Sequence, residues 1–143
     1  REITINKPGG EVYQYVKQLK NQENWSKWAM EDPIMHKEFK GTDGTVGFVY
    51  MWKSDKIGEG EQEITRLLEN ELVESDLHFI KPFEGKAKAS MATQALSSGQ
   101  TKVKWSFNSR LNYPMNFMVL FMDMTLGRDL NTGLVNLKNV LEN

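Results

Sequence analysis

Three consecutive stretches alternate apolar and polar side chains with a period of two, and they restrict the chain to folds built on an antiparallel sheet. Residues 72–80 put Val73, Ser75, Leu77 and Phe79 on one face and Glu74, Asp76 and His78 on the other. Residues 85–96 put Ala87, Ala89, Met91, Thr93 and Ala95 inward, with Lys86, Lys88, Ser90 and Gln94 outward. Residues 101–111 put Val103, Trp105, Phe107, Ser109 and Leu111 inward, with Lys102, Lys104, Ser106, Asn108 and Arg110 outward. One dry and one wet face is the pattern of an antiparallel sheet solvated on one side. Inward residues are odd-numbered on both sides of Ser97-Ser98-Gly99, so the connection holds an odd number of residues. A three-residue loop with Gly99 in the left-handed conformation satisfies this. It sets Met91 opposite Trp105 and Ala89 opposite Phe107. The same logic around Lys81-Pro82-Phe83 sets Asp76 opposite Lys88 on the wet face, a pair that contributes roughly 0.2–1 kcal/mol when formed.

The other segments fit around this sheet. Residues 2–6 read as a short strand, broken by Lys7-Pro8-Gly9-Gly10. Val12, Tyr15, Val16 and Leu19 follow at helical spacing, with Pro8 suited to the helix start. Trp25 and Trp28, three apart, fit one face of a second short helical turn. The stretch 34–111 is β-rich, with about six strands. Leu126, Leu130, Leu134, Leu137 and Leu141 predict a long amphipathic helix ending near Glu142. The apolar run Met115-Asn116-Phe117-Met118-Val119-Leu120-Phe121-Met122 precedes it, too short to span a bilayer. With no repeat, linker or low-complexity stretch, residues 1–143 read as one domain.

Composition removes several classes of function. Eighteen basic and nineteen acidic side chains leave a net charge of -1, without the basic excess of a nucleic-acid binder. There are no cysteines, so thiol catalysis, disulfides and Cys-ligated metals are excluded. No apolar run is long enough to cross a membrane. The strand pattern starts at Arg1-Glu2 with no initiator Met, which reads as a processed form cut just before the domain.

The order strand, short helices, meander and long helix comes with particular residues. They are Glu2-Ile3-Thr4-Ile5-Asn6-Lys7-Pro8 leading into Val12-Tyr13-Gln14-Tyr15-Val16, then Trp25-Ser26-Lys27-Trp28 and Gly47-Phe48-Val49-Tyr50-Met51-Trp52. Gly58-Glu59-Gly60 with Ile64, and the closing Gly133-Leu134-Val135-Asn136-Leu137-Lys138, complete the set. In these the chain resembles the START/Bet v 1-like superfamily, and within it the polyketide cyclase/dehydrase and lipid-transport type (SRPBCC) proteins. The resemblance spans essentially the whole chain and rests on structural positions rather than catalytic ones. It implies an α+β helix-grip: a curved seven-stranded antiparallel sheet around a long C-terminal helix, with two short N-terminal helices. Some similar bacterial proteins carry a membrane helix ahead of the first strand. The chain is therefore expected to be cytoplasmic or tethered by a membrane segment upstream of residue 1.

The inward face suggests where function sits. Gly58, Gly60, Ser75, Ala87, Ala89 and Ala95 are small, and small residues facing a helix leave either a close contact or space. Unfilled space costs roughly 24 cal/mol per Å³. Around them fall Leu77, Phe79, Met91, Trp105, Phe107, Ile64, and either Met51 or the pair Tyr50 and Trp52, since the parity of 46–52 is ambiguous. Met115, Phe117, Met118, Phe121 and Met122 are placed to cap one end, and methionine adapts to varied apolar ligands. Ser75, Thr93, Ser109, Gln62, Tyr50 and Asn116 are the polar groups available to orient a ligand. Trp28, with Trp25, is placed either to close the entrance or to staple the short helices to the sheet. An aromatic and methionine stripe is more often plain core than pocket; the family resemblance is what favours an internal cavity holding a hydrophobic or amphipathic small molecule.

Two other readings stay open. A cyclase, dehydratase or hydrolase would need a titratable group in that cavity, and Tyr50, His36 or Arg66 are the available ones. A protein-interaction domain would have a filled core and an exposed apolar patch. His36 and His78 lie on different strands, so no metal site or cofactor is implied. The expected partner is a hydrophobic small molecule rather than nucleic acid, and the oligomeric state is left open.

Overall fold

The computed structural model describes residues 1–81, 84–110 and 119–143, with their side chains except at Trp28, Glu31 and residues 109–127. Seven strands form one antiparallel sheet in the order β1-β7-β6-β5-β4-β3-β2. They are β1 (Glu2–Ile5), β2 (His36–Lys40), β3 (Val49–Ser54), β4 (Gly58–Leu68), β5 (Leu72–Lys81), β6 (Gly85–Ser97) and β7 (Gln100–Arg110). Between β1 and β2 lie α1 (Gly9–Val16), a 3-10 helix (Leu19–Asn24) and α2 (Lys27–Glu31); α3 (Val119–Glu142) ends the chain. This is the helix-grip architecture expected from the sequence, with the 3-10 helix as an addition. Among the described residues no helix is long and apolar enough to cross a membrane.

The register follows the parity argument closely. Met91 pairs with Trp105, Ala89 with Phe107 and Asp76 with Lys88. The last two residues face each other without an ion pair among the described contacts, as befits an exposed pair. The β6–β7 connection differs from expectation. Ala95 pairs with Thr101 but Ser97 pairs with Gln100, so the loop is two residues and Leu96 is a bulge. The odd residue required by parity sits in the strand, and Gly99 does not take a positive φ. Ala95, expected inward, is exposed, because α1 begins over it with Gly9, which has no side chain to cover it. Two further register shifts, at Thr65 and Ile80, bend β4 and β5 and curve the sheet.

Most of the core lies at the β1–β7 end. Ile5, Val12, Tyr13, Val16, Val73, Met91, Val103 and Trp105 pack with Leu130, Leu134 and Leu137 of α3. Leu130, Leu134 and Leu137 therefore do what their spacing predicts, with Leu141 partly buried beside them, and the helix begins at Val119. In α1 the buried aromatic is Tyr13 rather than Tyr15, because α1 stops at Val16 and Leu19 belongs to the next element. Trp25 and Trp28 do not share a helical turn: Trp25 ends the 3-10 helix and Trp28 belongs to α2. A smaller cluster, Leu19, Phe48, Tyr50 and Ile64, fills the space under the β2–β4 side.

Candidate functional site

The concave face carries a continuous row of rings. Phe39 and Tyr50 meet edge to face at 5.3 Å; Tyr50 to Trp52 is 6.4 Å, Trp52 to Phe79 6.3 Å and Phe79 to Phe107 6.4 Å. These are ordinary aromatic contact separations. The pairing of Tyr50 with Gln62 and Trp52 with Gly60 settles the parity of β3: Phe48, Tyr50 and Trp52 face inward. Met51 faces outward, opposite Glu38 and Glu61. Gly60 is what lets Trp52 lie down on the sheet. A Cβ there would stand 2.6 Å from Cζ2 of Trp52 and 2.9 Å from the His78 carbonyl. Trp52, Leu77, Phe79 and Phe107 are half-buried, whereas Ala87, Ala89 and Met91 beside them are buried.

A second group of inward residues is polar and tightly joined. Gln62 Nε2 donates to Ser75 Oγ at 2.7 Å, and Gln22 Nε2 donates to Gln62 Oε1 at 3.1 Å and to the Leu19 carbonyl at 3.1 Å. Gln62 and Ser75 are 8% and 3% exposed, so this is a buried polar network inside an apolar wall. It borders a pocket of about 20 Å³ with Trp25, Ala89, Met91 and Trp105 in its lining. That is space enough to admit a water-sized atom. Sequence reasoning had Gln62 and Ser75 but missed Gln22. The signal was present: Leu19, Gln22 and Trp25 are spaced by three, the period of a 3-10 helix, which puts them on one face.

The remaining expected site residues divide. Tyr50 faces inward, but its hydroxyl donates to Glu23 Oε1 at 3.3 Å. Burial, with the Glu23 carboxylate added to it, raises this phenol above its ordinary value of 10.0. Thr93 donates to the Asn70 carbonyl at 2.9 Å, so its hydroxyl serves the β4–β5 turn. Ile64 is wholly buried in the smaller cluster. Met115, Asn116, Phe117 and Met118 lie outside the described residues, as do the side chains of Trp28, Ser109, Phe121 and Met122.

The titratable groups weighed for catalysis sit elsewhere. His36 bonds Glu38 at 3.1 Å on the exposed convex side, and Arg66 pairs there with Glu74 at 3.8 Å. His78 stands 3.7 Å from Glu61, also convex. A depression of about 300 Å³ at this edge of the sheet has His36, Glu38, Lys53, Glu59 and Glu61 in its lining, together with Trp52 and Gly60. Among the described residues no cluster of three His, Asp or Glu is placed to hold a metal.

A curved seven-stranded antiparallel sheet gripping a C-terminal helix, with short N-terminal helices, is the Bet v 1-like helix-grip fold, and the chain has it. No family model matches the sequence, and no curated protein matches it either. Solved structures do. The chain is similar to the Aha1 dimer from Colwellia psychrerythraea at 16% identity and TM-score 0.58, covering 96% of this chain and 93% of that one. It is similar to Ara h 8.0201 at 16% identity and TM-score 0.64, covering 100% and 96%. It is similar to XoxI from Bacillus cereus at 14% identity and TM-score 0.66, again covering 100% and 96%. At such identities the likeness is one of fold.

Proposed function

We propose that the protein binds a hydrophobic or amphipathic small molecule, lipid-like or polyketide-like, against the aromatic row beneath its C-terminal helix. The observation that carries this is the contrast along one face. Val73, Met91 and Trp105 are sealed into the core, while Trp52, Leu77, Phe79 and Phe107 are large, apolar and half-buried. Every 100 Å² of apolar ligand area removed from water there contributes roughly 2.5 kcal/mol before the costs of association. The one titratable group in the row, Tyr50, is held as a neutral phenol by burial and by Glu23, which favours binding over acid–base chemistry.

The test is native mass spectrometry of the purified chain, then denaturing extraction. A stoichiometric added mass that leaves on denaturation supports the reading and gives the ligand's class. The blocking variant is Ala87→Trp. Ala87 is buried opposite Leu77, so a large ring there occupies the binding wall. Met91 is unsuitable for that purpose, because it belongs to the packed core. Ala87→Trp should lose the added mass and keep its circular dichroism. A wild-type protein with no added mass and no uptake of the dye phenylnaphthylamine refutes the reading.

A further inference from the structure

The indole N–H of Trp25 is a buried donor without a partner among the described residues. The ring is 2% exposed, and a buried, unpaired N–H costs free energy comparable to a lost hydrogen bond. Its orientation is fixed from two sides. Trp105 meets it edge to face at 5.0 Å. Gly133 of α3 lies close to its Cε3, where a Cβ would stand 3.6 Å away. Trp25 also lines the pocket of about 20 Å³ described above.

The polar network supplies a second donor to that pocket. The Leu19 carbonyl accepts from Gln22 Nε2, which fixes the orientation of the Gln22 amide. Gln22 then donates to Gln62 Oε1, which leaves Gln62 Nε2 to donate to Ser75 Oγ. Ser75 accepts through its oxygen, so its own proton remains to be donated. Trp25 and Ser75, each with a proton left to donate, thus both line a space that admits an oxygen atom. No Lys, Arg or His is in its lining, so nothing there compensates a carboxylate, whose burial without a partner is costly.

We propose that this pocket is the anchor for a neutral, acceptor-only oxygen of the bound molecule: a ketone, aldehyde or ester carbonyl donated to by Trp25 and Ser75. The inference rests on the binding reading above and narrows it, from any apolar ligand to one whose apolar body carries a carbonyl. The body lies along the aromatic row; the oxygen enters the pocket at Trp25.

The experiment uses the whole chain, the dye phenylnaphthylamine and two competitors, acetylnaphthalene and ethylnaphthalene substituted at the same ring carbon. The competitors differ only by C=O in place of CH2. Acetylnaphthalene should displace the dye at a concentration roughly three- to tenfold lower, the range one net hydrogen bond gives. Trp25→Phe should shrink that advantage, read as the ratio of the two competitors on the same protein, since Ser75 alone remains to donate. The Trp25 indole N–H resonance, identified by its loss in Trp25→Phe, should move downfield with acetylnaphthalene and stay put with ethylnaphthalene. Should Trp25→Phe fail to fold, Ser75→Ala takes its place in the displacement assay. Equal affinity for the two competitors, or an advantage that the substitution leaves undiminished, overturns this inference, leaves the binding reading standing and makes the pocket a water site. A protein that takes up neither dye nor competitor overturns the binding reading and this inference with it.

Discussion

Gly133→Ala sets helix propensity against packing, and the structure says which wins. Glycine in a helix interior costs about 1 kcal/mol relative to alanine, so on propensity alone the substitution stabilises by that amount. A Cβ at Gly133, however, would stand 2.9 Å from Cζ3 of Trp105 and 3.6 Å from Cε3 of Trp25. Trp105 is 5% exposed and braced edge-on by Trp25, so the ring has little room to move aside. Forcing a methyl into a close-packed site costs about 1–3 kcal/mol. The net expectation is a destabilisation of about 0–2 kcal/mol, the difference of the two terms. Trp105→Phe removes the part of the ring that Cζ3 belongs to. In that background Gly133→Ala should instead stabilise by about 1 kcal/mol. The two substitutions are therefore coupled by about 1–3 kcal/mol. The assay is urea unfolding of the four proteins, followed by far-ultraviolet circular dichroism because a tryptophan is being changed. Stability is read from the midpoints at a common slope. If Gly133→Ala stabilises the wild type and the Trp105→Phe protein equally, the contact of α3 with Trp105 does not limit this site, and the packing argument fails.

Two further expectations rest on single side chains. The Asp43 carboxylate accepts from the backbone N–H groups of Leu19 at 2.7 Å, Lys20 at 3.0 Å and Gly44 at 2.8 Å, tying the β2–β3 loop to the start of the 3-10 helix. Asp43→Ala should cost about 1–2 kcal/mol, the worth of a lost cap; an unchanged denaturation midpoint would show that the loop holds without it. Tyr50 and Tyr13 both have phenols raised above 10.0, chiefly by burial, with Glu23 and Glu69 adding to it. Because the folded value is the higher one, their contribution is fully present below pH 10 and is lost as pH rises above it. Phenolate absorbance should show a late-titrating fraction that Tyr50→Phe reduces, and a single titration of all tyrosines near 10 would contradict the burial of that hydroxyl.

What the sequence makes legible, and what it does not, follows from what alternation encodes. A slip of one residue exchanges the wet and dry faces of a strand, so the pairing of β5, β6 and β7 can be worked out residue by residue from the alternation together with the positions of the turns. Parity counts residues without saying where the extra one goes, which is why Leu96 is expected in a loop and sits in a bulge. Residues 46–52 are ambiguous because Val49 and Met51 are as apolar as Phe48, Tyr50 and Trp52. The face is decided by a neighbour, Gly60, whose missing side chain makes room for Trp52. The 3-10 helix is hidden because its period of three lies between the templates for helix and strand, and Gln22 is hidden with it.

The functional site is legible as a face and not as a volume. Val73, Ser75, Leu77 and Phe79 alternate identically along β5, and nothing in that pattern separates them. The structure separates them by what lies opposite. Leu130, Leu134 and Leu137 pack with Val73, Met91, Val103 and Trp105, so that end of the wall is core. Leu77 and Phe79 lie outside that cluster and stay half-buried. A wall sealed at one end and half-buried at the other accommodates both readings of the stripe: core where the leucines reach and, on the function proposed above, binding surface where the aromatic row runs beyond them.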